Sequence, residues 1–507
     1  MTGVGGPGPG AGAGNPMSQN TPNNQWRTLD KDLGRISQLE YAAQYVSRPM
    51  VGLGIALAFV VVVGVGVAVL LGTPPPSPVI VAAAVLGAYM AINIGANDVA
   101  NNMGPAVGAN ALTMGGAILI AAFFESAGAL LAGGDVVSTI SKGIIDPDSV
   151  ADSQVFIWAM MAALMSSALW VNLATWIGAP VSTTHAVVGG VMGAGIAAAG
   201  FAAVNWPTMG AIAASWVISP VLGGVIAALF LAFIKAQIIY QDDKIAAARR
   251  WVPVLIGLMA GVFATYLAMK GLKRIVSIDL GTALLIGLVV GAVTYGIAAP
   301  MIRRQSEGME NRNRSLKKLF AVPLVFSAAL LSFAHGANDV ANAVGPLAAI
   351  VHTDQFGEFA GQVTIPTWVM IIGAFGISFG LVLFGPKLIR MVGSQITKLN
   401  PMRAYCVALS AAITVIIASW LGLPVSSTHI AVGAVFGVGF FREWHAERRS
   451  QRLGLSTGKR IAVEERRRRK LVRRSHFLTI IAAWVITVPA AATMSALLFL
   501  GLSAFFV

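Results

Sequence analysis

A single cysteine, Cys406, stands among 507 residues, so no intrachain disulfide can staple the fold. Charge is scarce: Asp, Glu, Lys and Arg make up 11% of positions, against about 25% in an ordinary soluble domain. Acidic residues are the scarcer sign, 21 against 35 Lys and Arg. The start of the chain lacks the basic stretch and short apolar core of a secretory leader, so no cleavable signal peptide is expected. Apolar residues fill the space instead, at 56% of positions and a mean hydropathy of +0.76. Such a composition excludes a water-soluble domain of this length and implies an integral membrane protein. The formal charge of +14 is read as Lys and Arg in loops between spans, following the positive-inside rule, and no nucleic-acid partner is expected.

The apolar runs predict an all-α polytopic protein of about 11–12 spans. They lie near 50–72, 78–103, 112–134, 153–179, 207–236, 251–270, 278–301, 319–345, 365–390, 403–423 and 476–505. Two further stretches, 180–200 and 424–441, begin at proline and are rich in glycine. They are expected as re-entrant hairpins, which a membrane protein tolerates where protein or water surrounds them. Residues 1–49 form a polar amino-terminal segment. Its Gly/Pro/Ala/Asn-rich first part should be disordered, and 25–49 should form a short surface helix.

The chain also repeats itself. Gly95-Ala-Asn97-Asp98-Val-Ala-Asn101-Asn102-Met-Gly104-Pro105 returns as Gly336-Ala-Asn338-Asp339-Val-Ala-Asn342-Ala-Val-Gly345-Pro346. Pro180-Val-Ser182-Thr183-Thr184-His185 returns as Pro424-Val-Ser426-Ser427-Thr428-His429. Ser138-Thr-Ile-Ser-Lys142 matches Ser394-Gln-Ile-Thr-Lys398, and Trp216-Val-Ile-Ser219 matches Trp484-Val-Ile-Thr487. Four elements in one order define repeat 1 over 78–236 and repeat 2 over 319–507. An additional span at 50–77 precedes them, and 237–318 connects them with two spans and a basic loop. The loop 442–475 holds Arg466–Lys470 and should be cytoplasmic, as should the basic loop 302–318. The uncharged counterpart of 442–475, residues 201–206, should lie outside. The repeats are therefore expected in inverted topology, with a cytoplasmic amino terminus and an external carboxyl terminus. Lys270, Lys273 and Arg274 fall on the external side and run against this orientation.

The repeated motifs carry the chemistry. A carboxylate at membrane depth is expensive and marks an ion or substrate path. Asp98 shares a helical face with Asn101, and Asp339 with Asn342. Asn97 and Asn338 precede them, and glycine and proline on either side predict a helix break. Carbonyls freed by a break, with Asp and Asn oxygens, form an all-oxygen ligand set for a hard cation. A carboxylate and amide network that merely glues helices is the structural alternative.

Ser182, Thr183 and Thr184, like Ser426, Ser427 and Thr428, follow a proline that opens a helix. Two helix amino termini meeting near the midplane would cradle a tetrahedral oxyanion; ordinary capping is the alternative. Two aspartates and an anion cannot share a dry site without positive charge. Neither motif contains Lys or Arg, which points to cations drawn from solution. Phosphate fits better than sulfate, because a protonated phosphate oxygen can donate to Asp98 or Asp339. His185, His335 and His429 flank the motifs and suit either proton coupling or neutral hydrogen bonding between helices. Glu125, opposite Ile377 in the repeat alignment and without an acidic twin, suits a third cation ligand or a partner for Lys142.

On these paired motifs the chain resembles the inorganic phosphate transporter family from about residue 78 to 505. The resemblance implies a secondary transporter of inverted repeats, commonly a homodimer in the cell membrane. It would import phosphate with sodium or protons by alternating access and need no cofactor. It assigns cations to Asp98, Asn101, Asp339 and Asn342, and phosphate to Ser182, Thr183, Ser426, Ser427 and their neighbours. Ser138–Lys142 departs from the family's Thr-Ile-Arg-Lys stretch, and Ile94 stands where the second copy has His335. The Asn-Asp-Val-Ala-Asn wording resembles the sodium-coupled branch more than the proton-coupled one. Two readings compete. An intramembrane enzyme acting on pyrophosphate lipids needs clustered carboxylates around Mg²⁺, and each motif has one aspartate. A passive anion channel needs an open pore. An enzyme is not expected.

Overall fold

The computed structural model describes residues 50–70, 76–146, 149–150, 152–177, 181–271, 278–357, 365–395, 399–452 and 474–506. Several sequence expectations lie outside the described residues. These are the tail 1–49, the Gly178–Pro180 turn, Lys273 and Arg274, Ile396–Lys398 and the Arg466–Lys470 run. By contacts the chain divides into a short unit, 1–55, and a large one, 56–507.

The described structure is helical, with one isolated bridge between Ile145 and Val204. α1 covers Met50–Leu70. Then follow α2 (Pro78–Gly108), α3 (Met114–Ala132), α4 (Gly134–Lys142), α5 (Ser153–Ile177), α6 (Thr183–Ala199) and α7 (Trp206–Ile234). α8 (Lys244–Lys270) and α9 (Leu280–Gln305) form the connection. The short α10 (Asn313–Leu319) leads into α11 (Ala321–Asp339), α12 (Ala341–Phe356), α13 (Thr367–Gln395), α14 (Pro401–Trp420), α15 (Ser427–Arg452) and α16 (Arg474–Phe506). Eleven helical stretches among the described residues are long and apolar enough to cross a membrane, α11 and α12 counting as one.

Local chemistry sets the ends. Ser77, Asn205 and Asn400 accept from their helices' first turns, each just before or two before a proline at the helix start; proline there lacks only an N–H that would go unused. Thr113, Asp243 and Asp279 cap α3, α8 and α9 in the same way. Gly357, at φ 67°, closes α12 in the left-handed region that glycine adopts without penalty.

Two expectations are corrected. Neither 180–200 nor 424–441 is a hairpin in itself. Thr183–Ala199 and Ser427–Arg452 are each one unbroken helix, packed against the helix before it, α5 and α14 respectively. In the second copy the chain turns at Leu421–Gly422, ahead of the Ser/Thr triplet rather than among the glycines that follow it. The predicted break at Gly95–Pro105 is also absent: α2 runs through Pro105 to Gly108. In the second copy only Val340 interrupts the helix, and its φ of −56° and ψ of −31° stay helical. A transmembrane helix tolerates proline when neighbours re-satisfy the freed groups. Proline without an N–H still cannot donate to the carbonyl four residues back. Pro105 and Pro346 thus relieve the Asn101 and Asn342 carbonyls of a helical partner without breaking the helix.

The halves interlock reciprocally. Gly95 lies against the Ile377 carbonyl, and its counterpart Gly336 against the Glu125 carbonyl, so closely that a Cβ at either would overlap the oxygen. Gly193 of α6 abuts Ala492 of α16, while Gly437 of α15 abuts Gly224 of α7. Each half therefore lends its last helix to the other. Contacts in which i meets j′ and j meets i′ are the signature of a two-fold relation. Matched positions also meet each other: Ser126 and Ser378 hydroxyls lie 2.6 Å apart, and the His185 and His429 rings meet at 4.4 Å between centroids, tilted by 32°.

Candidate functional site

α2, α6, α11, α12 and α15 bring both motifs to one buried centre. Asp98, Asn101, Thr183, Thr184, Asp339, Asn342, Ser427 and Thr428 are all at most 4% exposed. The Thr183 hydroxyl donates to Asp98 Oδ2 at 2.8 Å, and Ser427 donates to Asp339 Oδ2 at 3.1 Å. Across the halves, Asn101 Nδ2 donates to Thr428 Oγ1 at 2.8 Å and Asn342 Nδ2 to Thr184 Oγ1 at 3.2 Å. The symmetry is broken in two places: Thr428 also donates to Asp98 Oδ1 at 2.9 Å, whereas Thr184 donates to the Val425 carbonyl at 2.9 Å, and Asn342 Nδ2 also donates to Thr183 Oγ1 at 3.3 Å.

The amide pair behind the aspartates is duplicated as well. Asn97 Nδ2 donates to Thr175 Oγ1 at 2.9 Å, and Asn338 Nδ2 to Ser419 Oγ at 2.9 Å. Sequence reasoning missed Thr175 and Ser419. The signal was there, since Thr175-Trp176-Ile177-Gly178 matches Ser419-Trp420-Leu421-Gly422 at the same distance before the proline.

Ser182 and Ser426 do something different from their neighbours. Their hydroxyls accept from the His185 and His429 amides at 3.1 and 3.3 Å, capping α6 and α15. The first four N–H groups of a helix lack intrahelical partners. With one taken by each cap, the remaining first-turn amides keep the dipole-favoured anion potential of a helix start.

The three histidines separate into two environments. His335 sits between carboxylates, with Nε2 2.9 Å from Asp339 Oδ2 and Nδ1 3.3 Å from Glu125 Oε1. His185 packs on Trp216 at 3.8 Å between ring centroids, and on His429. Glu125 accepts from Asn102 Nδ2 at 2.9 Å. Its other neighbour is His335, so it is tied to the second motif as well as to the first.

Cation capacity follows from the leftover oxygens. Asp98, His335 and Asp339 present ligand atoms within 4.8 Å of one another. Asn97 Oδ1, Asn102 Oδ1, Glu125 Oε2, Asp339 Oδ1 and Asn342 Oδ1 are buried with no hydrogen-bond donor. A buried acceptor without a donor costs about 1–3 kcal/mol, and oxygens left so are the ligand type a hard cation takes. No Lys or Arg is among the buried residues described.

A helical fold with many membrane-spanning segments whose two halves converge on one buried, oxygen-rich site is that of a solute transporter. Residues 94–495 match the model of the phosphate transporter family. The chain is 47% identical to a protein of Helicobacter pylori named "Putative phosphate permease", over 84% of this chain and 90% of that one. It is 38% identical to a protein of the same description from Pyrococcus abyssi, over 83% and 97%. A solved structure titled "The sodium-dependent phosphate transporter" superposes with a TM-score of 0.76 at 35% identity, covering 85% of this chain and all of that one. The chain belongs to the phosphate transporter family, and it is a transporter rather than an enzyme.

Proposed function

We propose that this chain is a secondary active symporter that imports inorganic phosphate with sodium, by alternating access of two inverted repeats. The observation that carries the reading is the duplicated site. Asp98 and Asp339 lie close together beside two capped helix starts, Asp339 Oδ1 and Asn342 Oδ1 have no donor, and no Lys or Arg is buried among the described residues. Sodium would sit among Asp98, Asn101, Asp339, Asn342, Asn97, Asn338 and, in the first half only, Glu125. Phosphate would take the hydroxyls of Thr183, Thr184, Ser427 and Thr428 with the first-turn amides of α6 and α15. The Ser/Thr hydroxyls now given to the aspartates would turn to the anion as cations replace them. Ser182 and Ser426 would contribute by holding those helix starts in place.

The reciprocal contacts support a two-fold relation between the halves, and an axis in the membrane plane would let one arrangement of gates convert into its inverse. The structural relative titled sodium-dependent supports the choice of ion. The reading also includes a homodimer in the cell membrane with the amino terminus inside and the carboxyl terminus outside. Proton coupling, of free or metal-bound phosphate, is the second reading, and the Glu125–His335–Asp339 chain is the observation that favours it.

Equilibrium binding tests the proposal. Phosphate titrated into the purified protein by calorimetry should bind in sodium and lose most of its affinity in equimolar choline. Equal affinity in both salts would contradict sodium coupling.

A further inference from the structure

A groove of about 660 Å³ runs along α8, α9, α11 and α3 and contains none of the site's own residues. Its walls are apolar: Phe124, Met259, Phe263, Ile297 and Phe326 line it. At one end stand Arg304 and Gln305, in or beside the last turn of α9. All the helices that form it are long and apolar enough to cross a membrane, so its surroundings are lipid. Among the described residues Arg304 has no acidic partner: Glu310 is taken by Arg312 at 3.1 Å, while Arg249 is held on Ser306 at 2.6 Å. Arg303 adjoins Arg304 in the last turn of α9, and Gln305 Nε2 reaches the Lys318 carbonyl at 3.5 Å, which brings the end of α10 with Lys317 and Lys318 to the same helix end. A long apolar slot with a cation at the level of the helix ends is complementary to an acyl chain carrying a negative headgroup.

We infer that this groove is a binding site for an anionic phospholipid, with one acyl chain between α9 and α11 and the headgroup phosphate on Arg304. The floor is shared with the transport site. Phe124 precedes Glu125, and Phe263 packs edge-on against Phe333, with centroids 5.0 Å apart, on the helix that carries His335 and Asp339. A seated lipid thus braces the outer face of α11.

The test measures lipid retention, which does not depend on what the protein transports. The full chain is equilibrated with equal phosphatidylglycerol and phosphatidylcholine and examined by native mass spectrometry. Wild type should retain phosphatidylglycerol preferentially. Arg304→Gln should lower that preference about fivefold, the effect of one basic residue near a membrane surface. Ile297→Trp, which fills the slot from an exposed position, should lower retention of both lipids with no change in oligomer mass. Equal retention of the two lipids by wild type, or unchanged preference in Arg304→Gln, would overturn the assignment. Conversion of a dimer to a monomer by Ile297→Trp would instead make the groove a contact between copies, which also overturns it.

Discussion

Thr428 and Asp98, 330 residues apart, are joined by a 2.9 Å hydrogen bond from hydroxyl to carboxylate. The bond ties the helix start of one half to the intramembrane charge of the other. It has no mirror partner, because Thr184 donates to the Val425 carbonyl. Asp98 thus receives two hydroxyl donors, and Asp339 one hydroxyl, with the His335 ring nitrogen 2.9 Å away.

Asp98→Asn and Asp339→Asn should each bring phosphate uptake to background while leaving the protein folded. Each change keeps the shape and removes the charge on which a cation would sit. Size-exclusion chromatography checks the fold and radiolabelled uptake the function. Normal accumulation by either variant would remove the aspartates from the mechanism.

The Ser and Thr residues of the triplets should divide by role. Ser182→Ala and Ser426→Ala remove helix caps and should each cost about 1 kcal/mol of stability, read as a lower unfolding temperature. Thr183→Val and Ser427→Ala remove donors to Asp98 and Asp339 and should weaken phosphate binding at least tenfold. Calorimetry alongside thermal unfolding separates the two effects; the same loss of phosphate affinity in all four variants would merge the roles.

Gly336→Ala should destabilise the interlock of the halves. Its Cβ would overlap the carbonyl of Glu125, and backbone cannot rotate away as a side chain can. Overpacking of this kind costs about 1–3 kcal/mol. Gly54→Ala, which meets nothing within 4 Å and lies inside a helix where alanine is favoured, is the control that should not lower the unfolding temperature.

Lys270 pairs with Asp135, whose side chain is 37% exposed. At that exposure an ion pair contributes about 0–1 kcal/mol, so Lys270→Met should shift the unfolding temperature only slightly. A large drop in stability would show that the pair is effectively buried.

Membrane class, span positions and the two-copy site were legible because they rest on composition and exact repetition. Asp98, Asn101, Asp339 and Asn342 carry charge or amide where neighbours are apolar, and they recur. The reading failed where the outcome depends on packing between distant segments. Pro105 reads as a helix break by local rules, but α13 packs along α2 and holds it helical through the proline. The glycines of 180–200 read as bends, yet Gly193 serves the close approach of α16. Ser182 could not be told from Thr183 in sequence, since only the direction of the hydroxyl separates a cap from a donor to Asp98. Glu125 had no twin to align with, and its partners, Asn102 and His335, come from α2 and α11.

The most direct measurement is radiolabelled phosphate uptake into proteoliposomes, under an inward sodium gradient and, separately, an inward proton gradient of equal size. The account predicts accumulation above equilibrium with sodium, lost in Asp98→Asn and in Asp339→Asn. Accumulation driven by protons alone, with sodium inert, would contradict it and give the coupling role to the Glu125–His335–Asp339 chain.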